Sequence, residues 1–224
     1  MSGRGVIFDM DGVLVDSHEA HFESWRQLAC AHGLEISRQQ FAATFGRTSR
    51  DIIRQLWQVP EKDIAAWDAE KEALFRQIIL ADFPEMDGAG DLIAALAGAG
   101  FKLAIGSSGP PENVEAVMKH LPNAELIHAK VTGLDVTHGK PDPEVFLAAA
   151  KKLGLPPRFC AVIEDAPAGI EAARRAGMAA VALTGTATRE KLAERAHVVV
   201  DSLRELTPQQ ITELIDTQGN ETDP

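Results

Sequence analysis

The stretch CAVIEDAPAGIEAARRAGMAAVAL, residues 160–183, decides the fold. Cys160-Ala161-Val162-Ile163 is a short apolar run, residues 168–176 have helical spacing, and Ala180-Val181-Ala182-Leu183 is a second apolar run. Two strands with no polar face, joined by a helix of crossover length, make a parallel pair covered on both sides. The pattern repeats outward. A strand at 102–105 lies between helices at 92–99 and 112–120, and a weak strand at Leu126-Ile127 precedes a helix over 143–153. Downstream, a helix over 189–196 leads to a strand at Val198-Val199-Val200, and Gly5-Val6-Ile7-Phe8 supplies a strand near the N-terminus. The expected fold class is α/β, a doubly wound parallel sheet.

One region breaks the alternation. Between residues 15 and 83, Phe22, Trp25, Leu28 and Ala29, then Trp67, Leu74 and Ile78, recur at helical spacing with no strand between them. Residues 16–83 are therefore expected to form an all-helical domain inserted after the first strand, with 1–15 and 84–224 forming the α/β core. The acidic tail from about Gln218 is expected to fray.

Composition removes several function classes. The chain has 224 residues, 45% hydrophobic and 25% charged, with a formal net charge of −11. That balance opposes a general grip on nucleic acid, which needs a Lys/Arg surface to displace counterions. The two cysteines, Cys30 and Cys160, have no metal-type spacing and read as small buried hydrophobes in a reducing compartment. No leader-like segment precedes Val6, and no apolar run approaches the roughly 20 residues that span a bilayer. A cytoplasmic protein without a membrane partner is expected, and a monomer suits its size. The glycines at 88, 90, 98 and 100 lack the strand–turn–helix order of a dinucleotide fingerprint.

In an open parallel sheet, ligands bind beyond the carboxyl ends of the strands. Asp9 and Asp11 follow the first strand, and Ser107 and Ser108 follow the second. Lys140 stands in the loop after the third, and Glu164-Asp165 end the fourth. Taken singly, Asp165, Ser107 and Ser108 also suit helix N-caps, and Lys140 suits a surface lysine. Together, carboxylates converging from separate strand ends repel one another unless a divalent cation holds them, and oxygen-only donors favour Mg²⁺ over Zn²⁺.

This constellation resembles the haloacid dehalogenase superfamily over nearly the whole chain. Phe8-Asp9-Met10-Asp11-Gly12-Val13-Leu14-Val15-Asp16-Ser17 looks like the family's first motif and Ser107 matches the second. Lys140 in Gly139-Lys140-Pro141-Asp142-Pro143 matches the third, and Glu164-Asp165-Ala166-Pro167-Ala168-Gly169 the fourth. The helical insertion resembles the small cap domain of the β-phosphoglucomutase-like branch. The resemblance implies a Mg²⁺-dependent phosphatase for a small phosphorylated metabolite such as a sugar phosphate. Asp9 is then the nucleophile that forms an aspartyl-phosphate, and Asp11 the general acid and later base. It further implies Mg²⁺ on the Asp9 carboxylate, the Asp11 carbonyl and Asp165, with Glu164 acting through water. Ser107, Ser108 and Lys140 would hold the phosphoryl oxygens, and Lys140 would also offset charge at Asp9. Dehalogenase members lack the second aspartate, so Asp11 places the chain on the phosphoryl-transfer side.

His21, Arg50 and Lys71 fall where the mutase-like branch places substrate-handling residues. Each also has a plain reading: packing or a hinge for His21, solvated helix charges for Arg50 and Lys71. Mutases of this branch carry a Ser-Lys-Asn-type stretch after the second motif that grips a distal phosphate. Gly109-Pro110-Pro111 stands there instead, with neither cation nor hydroxyl, so hydrolysis leads a β-phosphoglucomutase-type activity. A non-enzymatic phospho-receiver is disfavoured, because such domains are smaller and carry no insertion after an Asp-x-Asp pair.

Overall fold

The structure, a computed structural model, describes residues 3–44 and 48–221. β1 (Gly5–Phe8) is followed by four helices, α1 (His18–Ala31), α2 (Arg38–Ala42), α3 (Ser49–Trp57) and α4 (Glu61–Ala81). Strands and helices then alternate: α5 (Ala89–Gly98), β2 (Lys102–Gly106), α6 (Pro111–His120), β3 (Ala129–Val131) and α7 (Glu144–Leu153). The order continues with β4 (Cys160–Glu164), α8 (Pro167–Arg175), β5 (Ala179–Leu183), α9 (Arg189–Ala193), β6 (Val198–Val200) and α10 (Pro208–Glu221).

The six strands form one parallel sheet in the order β3-β2-β1-β4-β5-β6. Winding runs outward from β1 through β2 and β3, then restarts on its other side at β4. The order therefore reverses beside β1, where open α/β sheets form their ligand crevice. Phe8 is in register with Ile105 of β2 and Ile163 of β4, so the residues just beyond all three emerge at one edge.

Burial explains the sequence pattern. Every residue of β1, β4 and β5 is buried, whereas the edge strands β3 and β6 are buried only at their last residue. On one face Ile7, Ala104, Val162 and Ala180 pack with Phe146 and Ala149 of α7 and Ile170 and Ala173 of α8. Each large apolar side chain so buried contributes about 1.5–3 kcal/mol, and the alanines let the helices lie close to the sheet.

The third strand is not at Leu126-Ile127. Residues 124–126 form a 3₁₀ turn entered through Asn123 at φ 62°, and pairing begins when His128 N–H donates to the Leu103 carbonyl (2.8 Å). An edge strand with one buried residue needs no apolar run, so Ala129-Lys130-Val131 gave no such signal. The C-terminal segment is also more ordered than composition suggested. α10 continues to Glu221, carried by Ile211, Ile215 and Gln218 buried along one face, while 222–224 lie outside the described residues. Both cysteines are free, and Cys30 is exposed on α1 rather than buried. No helix among the described residues is long and apolar enough to cross a membrane.

The chain divides into two compact units, Met1–Asp16 with Glu85–Pro224, and Ser17–Pro84. The second unit has its own core, with Phe22, Trp25 and Leu28 of α1 packed with Phe41, Ile52, Ile53 and Ile64. Within the first unit, Val15 pairs antiparallel with Glu85, and Met86 N–H donates to the Leu14 carbonyl (3.1 Å). The outgoing and returning segments are thus tied together, which removes the closure cost of a long intervening insertion from the sheet itself.

Candidate active site

Asp9 leaves the end of β1 with its N–H donated to the Ile163 carbonyl of β4 (2.9 Å), which fixes its backbone between the two central strands. The chain then turns tightly: Leu14 N–H returns to the Met10 carbonyl (2.9 Å), and Gly12 takes φ +75°. Asp11 is half-buried inside this turn.

Lys140 reaches the same place from the loop after β3. Its Nζ lies 2.9 Å from Asp9 Oδ1, 2.8 Å from Glu164 Oε1 and 4.9 Å from the centre of the Phe146 ring. The surface-lysine reading is excluded, since its side chain is only 10% exposed. A clasp holds the loop. Glu144, first residue of α7, accepts the backbone N–H groups of Thr137 (3.0 Å) and His138 (2.8 Å), while Asp142 Oδ1 accepts that of Glu144 (3.0 Å). Those backbone bonds hold the Glu144 carboxyl below its usual range.

Asp9, Glu164 and Asp165 are all buried, and one ligand-type oxygen of each lies within 4.8 Å of the others. Burial lifts the Asp9 carboxyl to about 7, with Lys140 opposing and Glu164 and Asp11 adding to the rise. Burial, then Glu164 and Asp9, push Asp165 well above the usual carboxylate range. Burial works against the Lys140 ammonium, yet Asp9 and Glu164 together push its pKa up. One cation among three buried acids leaves a negative excess, and an all-oxygen donor set suits a hard divalent ion. Among the described residues His138, Asp142 and Glu144 also bring ligand-type atoms together, but these are the clasp of the Lys140 loop.

The capping alternatives do not hold. Pro110 is the N-cap of α6 and Ala166 that of α8, neither with a side-chain cap bond, so Ser107, Ser108 and Asp165 serve no helix start. Ser107 is buried, and its Oγ accepts the Gly109 N–H (3.0 Å), which leaves its own O–H for an incoming oxygen. Ser108 is exposed. Gly133 N–H donates to the Gly109 carbonyl (2.8 Å) and zips the loop after β3 onto the loop after β2.

Glycines supply the room. A Cβ on Gly169 of α8 would stand 1.8 Å from Glu164 Oε1, and one on Gly12 would stand 2.1 Å from Asp165 Oδ2. Glu164 has nowhere to retreat, because Lys140 holds Oε1 and the Ala166 N–H holds Oε2 at 2.5 Å. Gly169→Ala is expected to cost about 1–3 kcal/mol of stability as an overpacking change. Urea denaturation of the two chains measures it, and an unchanged midpoint would show that Glu164 moves aside freely.

In the helical unit, His21 and Lys71 come together and Arg50 does not join them. Lys71, 2% exposed, is no solvated charge: its Nζ lies 2.9 Å from His21 Nδ1 and 3.0 Å from Glu72 Oε1, and 5.4 Å from the Trp25 ring centre. An ammonium can only donate, so Nδ1 is the acceptor of this contact. The imidazole stacks on Phe75 with centroids 4.0 Å apart. Arg50 pairs with Asp68 (2.9 Å) and its side chain is 62% exposed, a solvated helix charge.

One contributor went unread in the sequence. Thr186, in the loop after β5, donates its hydroxyl to Asp165 Oδ2. Three threonines crowd that loop, and their roles differ only in the folded chain: Thr184 bonds Asp201 (2.9 Å) and Thr188 caps α9.

Known proteins bear on this arrangement. The family model of haloacid dehalogenase-like hydrolases matches residues 4–177, a span that includes the ends of β1, β2, β3 and β4. The chain is 34% identical to fructose-1-phosphate phosphatase YqaB of Escherichia coli, over 79% of this chain and 94% of that protein. It is 32% identical to β-phosphoglucomutase of Bacillus subtilis, over 80% of this chain and 82% of the relative. Among solved structures, a family IA variant 3 hydrolase from Entamoeba histolytica superposes with a TM-score of 0.87 at 26% identity, over 95% of this chain and 99% of that one. A match of that extent, set on a sheet whose switch point gathers Asp9, Lys140, Glu164 and Asp165, makes the chain an enzyme of the haloacid dehalogenase-like hydrolase family.

Proposed function

We propose that this enzyme is a Mg²⁺-dependent phosphatase acting on a small phosphorylated metabolite, a sugar phosphate, with Asp9 as nucleophile. The observation that carries the reading is the buried Asp9 carboxylate, 2.9 Å from the Lys140 ammonium and grouped with Glu164 and Asp165. A phosphatase of fructose 1-phosphate among the relatives supports the substrate class.

An Asp9 oxygen attacks phosphorus while the ester P–O bond breaks, and Asp11 gives its proton to the departing alkoxide. Asp11 then takes a proton from water, which attacks the same phosphorus and returns Asp9 with release of inorganic phosphate. Ser107 O–H and Lys140 face the phosphoryl oxygens as charge shifts among them. Asp9, Asp165 and the Asp11 carbonyl would hold Mg²⁺, with Glu164 acting through water, and the ion would lessen repulsion between anionic nucleophile and anionic phosphate.

A mutase reading draws on the similarity to β-phosphoglucomutase. Against it, Gly109-Pro110-Pro111 is spent on starting α6, with Pro110 as N-cap and Pro111 at the first helical position. No side chain there can grip a second phosphate. A phosphate-release screen over sugar phosphates and nucleotides with Mg²⁺, including β-glucose 1-phosphate with a bisphosphate primer, separates the two. Isomerisation of β-glucose 1-phosphate outrunning phosphate release would overturn the hydrolytic reading.

Asp11→Asn is expected to lower kcat on a sugar phosphate by about 10²–10⁴-fold and to slow an aryl phosphate far less, because phenolate needs no proton to leave. Equal losses on both esters would remove Asp11 from general acid catalysis.

Asp9, at about 7, and Asp165 both titrate above their unfolded values, so folding takes up protons as pH rises past the unfolded carboxylate range. Their stabilising contribution is full below about pH 4 and is lost as pH rises through the folded value. The metal-free chain is therefore expected to lose thermal stability from Asp9 between about pH 5 and about pH 8, with Asp165 adding to the loss. Added Mg²⁺ should raise Tm more at the higher pH. A Mg²⁺ increment in Tm that does not grow with pH would mean these carboxyls are not its ligands.

A further inference from the structure

Asp165 contributes to the acid cluster, yet neither the helix that follows nor a cationic side chain orients its carboxylate. α8 is capped by Ala166 without a side-chain bond, and Lys140 binds Asp9 and Glu164 rather than Asp165. Two neighbours fix it instead. Gly12, at φ +75°, lets Oδ2 lie where a Cβ would be 2.1 Å away, and the Thr186 hydroxyl donates to that same Oδ2. Thr186 comes from the end of β5, the strand paired with β4 through Glu164 and Ala182, so it adds a further strand end to the site.

We propose that Thr186 is a positioning residue for the divalent ion: by holding Asp165 Oδ2 over Gly12, its hydroxyl presents the rest of the carboxylate to Asp9 and Glu164. This rests on the Mg²⁺ reading of the site given above. A carboxylate free to rotate must be ordered when the ion binds, whereas one already held by a neutral donor is not. A neutral donor suits the place, since it orients the acid without cancelling the charge that attracts the cation. A lysine or arginine there would compete with the ion. A carboxylate has about four acceptor sites, so one bond from Thr186 leaves the remainder for a metal.

The test is calorimetric titration of Mg²⁺ into the whole metal-free chain, without substrate, for wild type and Thr186→Val, Thr186→Ala and Thr186→Ser. Removing the hydroxyl is expected to weaken Mg²⁺ binding by about 10–100-fold, equally in T186V and T186A, and T186S should restore it. Turnover by the two hydroxyl-free variants should then need correspondingly more Mg²⁺, with the KM for substrate unmoved. Wild-type Mg²⁺ affinity in T186V or T186A, or a T186S chain as weak as T186V, overturns the proposal and leaves the metal site standing. A wild-type chain that takes up no Mg²⁺ overturns the metal reading itself, and this inference with it.

Discussion

Asp9→Asn is expected to lower phosphate release from every monoester by at least about 10⁴-fold, the scale on which removing the nucleophile disables residues acting as a unit. The substitution keeps the size of the side chain and one acceptor oxygen, so substrate should still enter. What is lost is the anionic oxygen that would bond phosphorus, together with one carboxylate of the group proposed to hold Mg²⁺. Stability should move the other way. Burial already holds the Asp9 carboxyl up at about 7, so above that pH the folded chain carries an ionised acid that its surroundings disfavour, even with Lys140 at 2.9 Å. A neutral amide removes that cost, and the metal-free variant should melt higher than wild type at about pH 8. Acid quenching during turnover supplies a third readout: a phosphoryl label should remain on the wild-type chain and be missing from the variant. Near-wild-type kcat in Asp9→Asn would end the nucleophile assignment, whatever the melting curves show.

Much of this was legible before folding because the doubly wound sheet turns a position in sequence into a position in space. Once apolar runs and crossover helices are recognised, residues just past each strand must share one edge, and Asp9, Ser107, Lys140 and Glu164-Asp165 follow. The third strand end, with Lys140, was legible through its loop rather than its strand, since β3 begins at Ala129, past the Leu126-Ile127 pair that suggested it. Other contributors carry no local mark. Gly12 and Gly169 matter because a carboxylate lies over each, which no spacing rule reports. Lys71 and Arg50 both look like helix-face cations, and tertiary packing alone decides that one is buried against His21 and the other solvated. Glu144 reads as an ordinary first-turn acid, yet its carboxylate holds the backbone of the loop that presents Lys140.

That loop's lysine carries the other large effect. Lys140→Met keeps an unbranched apolar side chain of similar length but removes the ammonium that lies over the Phe146 ring and touches both Asp9 and Glu164. Breaking a buried pair from one side costs about 3–5 kcal/mol, because the remaining charges stay buried and unpaired. Here two carboxylates are left, beside a third at Asp165. They will either take up protons or draw in a cation. The metal-free variant should therefore melt well below wild type at about pH 8 and recover toward it as pH falls, since protonation replaces the missing positive charge. Mg²⁺ should raise its Tm by more than it raises that of wild type, because lysine no longer offsets the field that attracts the ion. Catalysis should not recover with stability. The ion can neutralise the acids, but the donor proposed for the phosphoryl oxygens is gone, an expected loss of about 10²–10³-fold in kcat at saturating Mg²⁺. A variant that regains both Tm and kcat with added Mg²⁺ would show that Lys140 only balances charge and takes no part in holding the phosphoryl group.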